Sequence, residues 1–400
     1  MESYIADWIS LIIRWLHVIT GIAWIGASFY FIWLDNSLED PPQWKKDKGI
    51  KGDLWAVHGG GIYEVAKYHG APEVMPKHLH WFKWEAYSTW ITGILLLAVI
   101  YYYGAESYLI DRRVADLSAA EAIGLGIAFL VGSWVIYSGL CSSPLSRNGW
   151  LLGIVLLAFA GGLAWGLTAL FSGRGAYIHF GAIIGTIMVA NVAMVIMPGQ
   201  RKLVAALEAG TPIDPSWGAK AKLRSTHNTY LTLPLLFIMI SNHYPMTYGH
   251  ALNWLVLLVI VVITAISRQY FVLRHHGINK PVFLGVAIAA TLVLAVAIAP
   301  RPVKLDAPAQ LSSSQLATRA EGIIRERCTT CHAASPTDDV FTTPPGGVML
   351  DSMEQMQQWA PRIRARSIDS HDMPFMNKTG MTDEERVLVA QWIASLSAGN

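Results

Sequence analysis

Cys328-Thr329-Thr330-Cys331-His332 is the stretch on which the reading of this chain turns. A Cys-x-x-Cys-His run is an attachment sequence for c-type haem: the two sulfurs add to the haem vinyl groups and the adjacent imidazole becomes an axial ligand of the iron. A redox-active dithiol and half of a zinc site are the competing readings of the same spacing. Both need company that the sequence does not supply. The third cysteine, Cys141, lies 187 residues upstream, and no thioredoxin-like βαβ pattern surrounds the motif. Covalent haem c is therefore the expected cofactor. With it come electron transfer and a location for this stretch where haem is joined to thiols.

The rest of the chain is apolar to an unusual degree. Of 400 residues, 53% are hydrophobic and only 14% charged, against about 25% charged in ordinary soluble chains. The deficit lies in residues 1–300, whereas residues 312–400 hold 8 Lys and Arg against 11 Asp and Glu and read as a water-exposed module. About 20 apolar residues in a helix cross about 30 Å of hydrocarbon. Eight segments qualify, roughly 5–34, 84–103, 122–139, 150–171, 176–197, 226–242, 251–270 and 282–299, the sixth being the weakest because Pro234 falls inside it. A buried soluble core is disfavoured, since soluble helices rarely stay apolar on every face. Trp8, Trp33, Tyr101, Tyr102, Tyr103, Trp150 and Tyr177 stand near segment ends, as interfacial belts require. The first segment lacks a basic leader and is too long for a cleaved signal. A net charge of +2 with no basic stripe excludes a nucleic-acid partner; the lipid bilayer is the expected one.

Orientation follows from Lys and Arg between the segments. Loops 1–2, 3–4, 5–6 and 7–8 hold 16 of them, Arg268 among the last; the opposite loops hold Arg112, Arg113 and Arg174, with Arg301 and Lys304 after the final segment. The odd loops are expected to be cytoplasmic and both termini periplasmic, in the inner membrane of a bacterial cell. Haem attachment requires the same side for residue 328.

Self-comparison shows a repeat. Ser88–Leu96 resembles Asn228–Leu236, and Leu16-His17-Val18 resembles Ile178-His179-Phe180, as though helices 1–4 recurred as 5–8 in parallel. The repeat pairs His17 with His179. Arg14 precedes His17 by a turn, and His243 and His250 flank the same outer side. Ionisable groups at membrane depth face a cavity, a partner or a cofactor; most other histidines are read as interfacial. Arg14, His17, His179 and His243 are the candidate catalytic residues, and an additional haem b or metal in the membrane part is a possibility they leave open. A second histidine set (His58, His69, His78, His80, His227, His275, His276) is expected on the cytoplasmic side. The 48-residue connection 35–82 is read as a solvated loop or a cap over a substrate entrance.

Residues 301–314, rich in Pro, Ala and Ser, form a tether between a 1–300 membrane domain and a 315–400 module. Helices are expected over 315–327 and 352–367, and Thr382-Asp383-Glu384-Glu385 reads as a capping box for a last helix with Val387, Leu388, Trp392, Ile393 and Leu396 on its apolar face. This arrangement resembles a small class I cytochrome c. The resemblance implies Met373, in Met373-Pro374, as the second iron ligand beside His332, ahead of Met376 and Met349.

The fold class expected is all-α: an eight-helix transmembrane bundle, 4+4 in repeat, followed by a class I cytochrome c domain. Trp15-Leu16-His17-Val18-Ile19-Thr20-Gly21-Ile22-Ala23-Trp24-Ile25-Gly26-Ala27-Ser28-Phe29, together with that architecture, resembles the membrane-bound bacterial urate oxidase family over essentially the whole chain. The resemblance implies oxidation of urate to 5-hydroxyisourate with water as oxygen source. Electrons would leave through the haem c to a periplasmic or membrane acceptor, a cytochrome c or a terminal oxidase. It transfers no catalytic residue of the membrane part. The alternative class is a transporter or channel with a tethered redox sensor. A haem–copper oxidase subunit is disfavoured because the only adjacent histidine pair, His275-His276, lies in a basic loop. A flavoenzyme is disfavoured because no strand–Gly-x-Gly-x-x-Gly–helix unit occurs.

Overall fold

The computed structural model describes residues 2–275, 277–299, 311–338, 341, 343–371 and 373–398. The first part is a helical bundle: α1 (Glu2–Ser37), α2 (Trp84–Tyr102), α3 (Ala119–Ser142), α4 (Gly149–Thr168), α5 (Gly173–Glu208), α6 (Pro215–Ser241), α7 (Asn253–His275) and α8 (Val282–Ala297). Among the described residues six helices, all but α6 and α8, are long and apolar enough to cross a membrane. The chain is a membrane protein, and its outer faces carry the large apolar side chains that only lipid covers well, such as Trp15, Trp150 and Val293. The other two fall short for opposite reasons. α6 is 27 residues long, but Lys220, Lys222 and Arg224 occupy its first turns, whereas α8 is apolar throughout but only 16 residues long.

α5 is the hub, touching α2, α3, α4 and α6. Its buried residues include Tyr177, Phe180, Ile183, Ile184 and Ile187, apolar on several faces as a central helix must be. α1 packs along α2 and α5 along α6, the two pairs that the repeat would relate. Both α2 and α5 contain a π-turn, at Leu97–Tyr102 and Val192–Ile196. Such turns re-aim side chains and recur at functional sites; the first carries Tyr101 and Tyr102.

The all-helical expectation is corrected between α1 and α2. There the chain forms an antiparallel hairpin, β1 (Ile50–His58) and β2 (Gly61–Tyr68). Gly59 and Gly60 turn it with φ of 58° and 81°, the positive pair that a two-residue hairpin turn requires and that glycine adopts without strain. Lys45 lies buried under the ribbon, bonded to Asp53 of one strand and Glu64 of the other. Lys67 bonds Asp35 at 2.6 Å, tying β2 to the end of α1. The connection is a folded cap and not a loose loop.

The C-terminal module has a separate core. α9 (Ser313–Cys328) packs against α10 (Asp383–Ala398) around Ile324, Met356, Val389 and Trp392. Thr382 and Glu385 form the expected capping box, and Ser312 with Gln315 forms another. The single helix expected over 352–367 is broken into Met353–Gln358, Ala360–Ile363 and a π-turn. Pro361 is the physical reason: it has no N–H to donate and disfavours helical backbone before it. Most of the expected tether lies outside the described residues.

Two glycines one turn apart on α5 test the packing. A Cβ on Gly181 would stand 2.6 Å from Cγ2 of the buried Ile238 on α6, while one on Gly185 would meet nothing within 4 Å. Gly181→Ala should lower thermal stability in detergent by about 1–3 kcal/mol through overpacking. Gly185→Ala should raise it by up to about 1 kcal/mol through helix propensity.

Candidate functional site

Between α1 and α2 on one side and α5, α6 and α7 on the other lies a cavity of about 1380 Å³. One end is lined by Arg14, Tyr101, Arg174, Asn242 and His243; the other, beside the hairpin, by Asp35, Lys67, His80, Glu85 and Lys222. His17 lines it between the ends. Three of the four candidate catalytic residues, Arg14, His17 and His243, therefore share one space. His179 does not line it. It is fully buried behind Tyr101, with ring centroids 6.4 Å apart, and beside Tyr102 and Phe171.

His17 and His179, which the repeat would pair, are held in the same way but face different surroundings. His17 Nδ1 lies 3.1 Å from the Thr89 carbonyl and 3.0 Å from Thr92 Oγ1; His179 Nδ1 lies 2.9 Å from the Gly175 carbonyl. A carbonyl only accepts, so in the neutral ring Nδ1 carries the proton and Nε2 the lone pair. For His17 that lone pair belongs to a residue of the cavity wall, available to take a proton or hold a ligand. For His179 it faces the α3 backbone at Gly126, where a Cβ would lie 2.7 Å from Nε2 and 3.1 Å from the Tyr102 hydroxyl. Neither Nε2 nor that hydroxyl has a hydrogen-bond partner. α3 closes this edge against His179 at Gly126. Among the described residues no three His, Cys, Asp or Glu cluster to hold a metal ion.

His227, of the second histidine set, belongs to a different interior network. Its Nδ1 lies 2.8 Å from the Tyr137 hydroxyl, which also accepts from Asn191. Cys141 Sγ is 3.7 Å from the same nitrogen, so this thiol is engaged inside the bundle and is no partner for the Cys-x-x-Cys pair. His276 lies outside the described residues.

At the end of the cavity nearest the C-terminal module, Arg174 is set among aromatic rings. Arg174 Nε donates to the Tyr101 hydroxyl at 3.2 Å, and that hydroxyl donates to Asn242 Oδ1 at 3.1 Å. The same guanidinium lies 5.0 Å from the Tyr108 ring centroid and 5.7 Å from that of Phe375, a residue of the module. Tyr101 to Tyr108 is 6.2 Å and Tyr108 to Phe375 is 5.8 Å between centroids. The module thus touches the bundle through the residue two beyond Met373.

In the module, His332 Nδ1 donates to the Val348 carbonyl at 3.0 Å, leaving Nε2 free; burial pushes its pKa down and keeps it neutral. Burial pushes the Cys328 thiol up to about 12 and the Cys331 thiol up to about 11. Buried Arg386 donates to the carbonyls of Ser367 and Met373, the latter at 2.8 Å, and so pins the loop that carries Met373. Two thiols, an imidazole with a free Nε2 and a methionine on a loop pinned by its carbonyl are the donor types that would hold a covalent haem. The side chain of Met376 lies outside the described part; Met349 precedes the core residue Leu350.

The family model described as "Urate oxidase N-terminal" matches residues 3–299. The chain belongs to this family. Comparison with curated proteins and with solved structures finds no match. The family match covers the bundle and its cavity but not the module.

Sequence reasoning missed Tyr101 and Arg174 as site residues. Tyr101 sits in a Tyr-Tyr-Tyr run that reads as an interfacial belt, and Arg174 was counted only as a loop charge. The signal available was their position at facing helix ends of one compartment side.

Acid should loosen the module. Bonds from Arg327, at 2.9–3.2 Å, hold the Glu385 carboxyl below its usual range. The stabilisation is therefore present above the unfolded-state pKa, about 4.3, and is lost as pH falls through the folded value. Hydrogen-exchange protection of α9 and α10 in the full chain should fall on acidification below about pH 5, and Glu385→Gln should flatten that dependence.

Proposed function

We propose that this chain is a membrane-bound oxidoreductase that converts urate to 5-hydroxyisourate, with water as oxygen source and a c-type haem as the electron exit. The balance is urate plus water giving 5-hydroxyisourate, two protons and two electrons. In this reading α6 and α8 cross the membrane with the other six helices. Eight crossings put both termini on the periplasmic side of a bacterial inner membrane, and residues 315–400 form the cytochrome domain beyond a 301–314 tether.

The observation that carries the reading is the contact of Phe375 with Tyr108 and Arg174. It joins the wall of the substrate-sized cavity, through Tyr101 and Arg174, to the loop that holds Met373. Cys328, Cys331, His332 and Met373 would hold the haem, which would supply one-electron transfer at a potential raised by the thioether. The chain's own residues do the rest. His17, with Nε2 unprotonated, takes the proton of the attacking water. Arg14 and Arg174 hold anionic charge at the module end of the cavity. The apolar walls limit competing water.

Mixing anaerobic full-length protein with urate should reduce the haem, and ferricyanide should sustain turnover without hydrogen peroxide. A strict need for oxygen would sink the proposal. The cavity's extent from Arg14 to Lys222 favours one rival, transport; urate accumulation in vesicles with no haem reduction would select it. The ring contact has its own test. Phe375→Ala and Arg174→Gln should slow urate-driven haem reduction at least tenfold while leaving dithionite reduction and haem content unchanged.

A further inference from the structure

Arg268 stands out among the groups that the reaction above does not use. The positive-inside count treats it as a loop charge, but the structure puts it within α7, 4% exposed. Its Nε and Nη2 are both buried without an acceptor, and no ion pair joins it to a carboxylate among the described residues. These two atoms form one edge of the guanidinium, the fork that meets two parallel acceptors of a planar anion. A buried guanidinium with this edge empty lacks its counter-charge.

Its surroundings belong to the cavity wall. The guanidinium carbon lies 4.6 Å from the Phe29 ring centroid. Phe29, Tyr230 and Val272, one turn further along α7, all line the cavity. Nearby acceptors are already engaged: the Tyr230 hydroxyl donates to Gln269 Oε1, and Asp35 is bonded to Lys67. Glu85 at the same end keeps Oε1 3.9 Å from His80 Nε2, while its Oε2 is buried without a partner, and no ion pair joins it to Arg268. Lys67 and Lys222 line the same end beside Asp35 and Glu85, so the charges there balance and the buried Arg268 is the cation left over.

We propose that Arg268, backed by Phe29, is an anion-recognising subsite at the hairpin end of the cavity. Its ligand is a planar monoanion with two adjacent acceptors, the class to which the urate monoanion belongs. Arg268 itself lies behind this wall, so Phe29 must turn aside when a ligand enters from this end. The substrate identity rests on the urate reading; the empty fork does not.

The test is equilibrium binding of radiolabelled urate to full-length protein in nanodiscs, beside urate-driven haem reduction. Arg268→Gln should weaken binding at least tenfold and raise KM by a similar factor, with kcat within about twofold. Arg268→Lys, which keeps the charge but loses the fork, should bind several-fold more weakly than wild type. A neutral purine, hypoxanthine, should compete poorly with wild type and lose nothing in the variants. Undiminished urate binding in Arg268→Gln overturns the subsite. If that variant fails to accumulate, undiminished binding in Arg268→Lys overturns it. Wild-type protein that binds urate through Arg268 but never reduces its haem upholds the subsite and defeats the redox reading instead.

Discussion

The Arg174 guanidinium lies among three rings, and the relation between the two parts of the molecule depends on it. It sits in the first turn of α5, where a cation opposes the helix dipole at a cost of about 0.3–1 kcal/mol. Ring contacts at 5.0, 5.7 and 5.9 Å to Tyr108, Phe375 and Tyr101, at about 0.5–1 kcal/mol each where exposed and more where desolvated, outweigh that cost. The bond to the Tyr101 hydroxyl adds direction. A lysine would carry the same charge without the planar face that lies along the rings and without the fork. The position is therefore explained by what surrounds it and not by helix formation. Tyr101 reaches it from the π-turn of α2, Tyr108 from the helical turn Ala105–Tyr108, and Phe375 from the module.

Much of the architecture was legible in the sequence because its causes are local. The Thr382–Glu385 box closes within one turn. Apolar length marks helices wherever lipid is the solvent. The hairpin was not legible for the opposite reason: its strands include Lys51, Asp53, Glu64 and Lys67, and what holds them is the buried Lys45 between two carboxylates. Hydrophobic alternation carries no trace of such pairing. α6 shows the same limit. Its apolar run begins near residue 226, yet the helix begins at Pro215, because backbone bonding continues through Lys220, Lys222 and Arg224.

The candidate site was legible only in part, and the histidine pair shows why. The resemblance between Leu16–Val18 and Ile178–Phe180 pairs His17 on α1 with His179 on α5, and both anchor Nδ1 on a carbonyl. Equivalent position does not give equivalent neighbours. α1 packs at the edge of the bundle, so His17 opens on the cavity; α5 is enclosed on all sides, so His179 meets Gly126 and three aromatic rings. Edge or centre is decided by which helices surround each one, and no pairwise resemblance contains that.

Charge placement follows from the same enclosure. Inside a low-dielectric bundle an ionised group persists only where something compensates it. Arg174 has rings and a hydroxyl, Lys45 has two carboxylates, and Arg224 lies 4.8 Å from the Tyr137 ring and bonds Ser138. Arg268 has one ring and an empty fork. Compensation is thus complete for Lys45 at the hairpin, nearly so where the module docks, and least at Arg268 behind the cavity wall, where two guanidinium nitrogens lack an acceptor. A fold stabilised by burial alone would place leucine there. A site that must desolvate an anion needs a donor pair already stripped of water, since the anion then exchanges its hydration for bonds that cost the protein no further reorganisation.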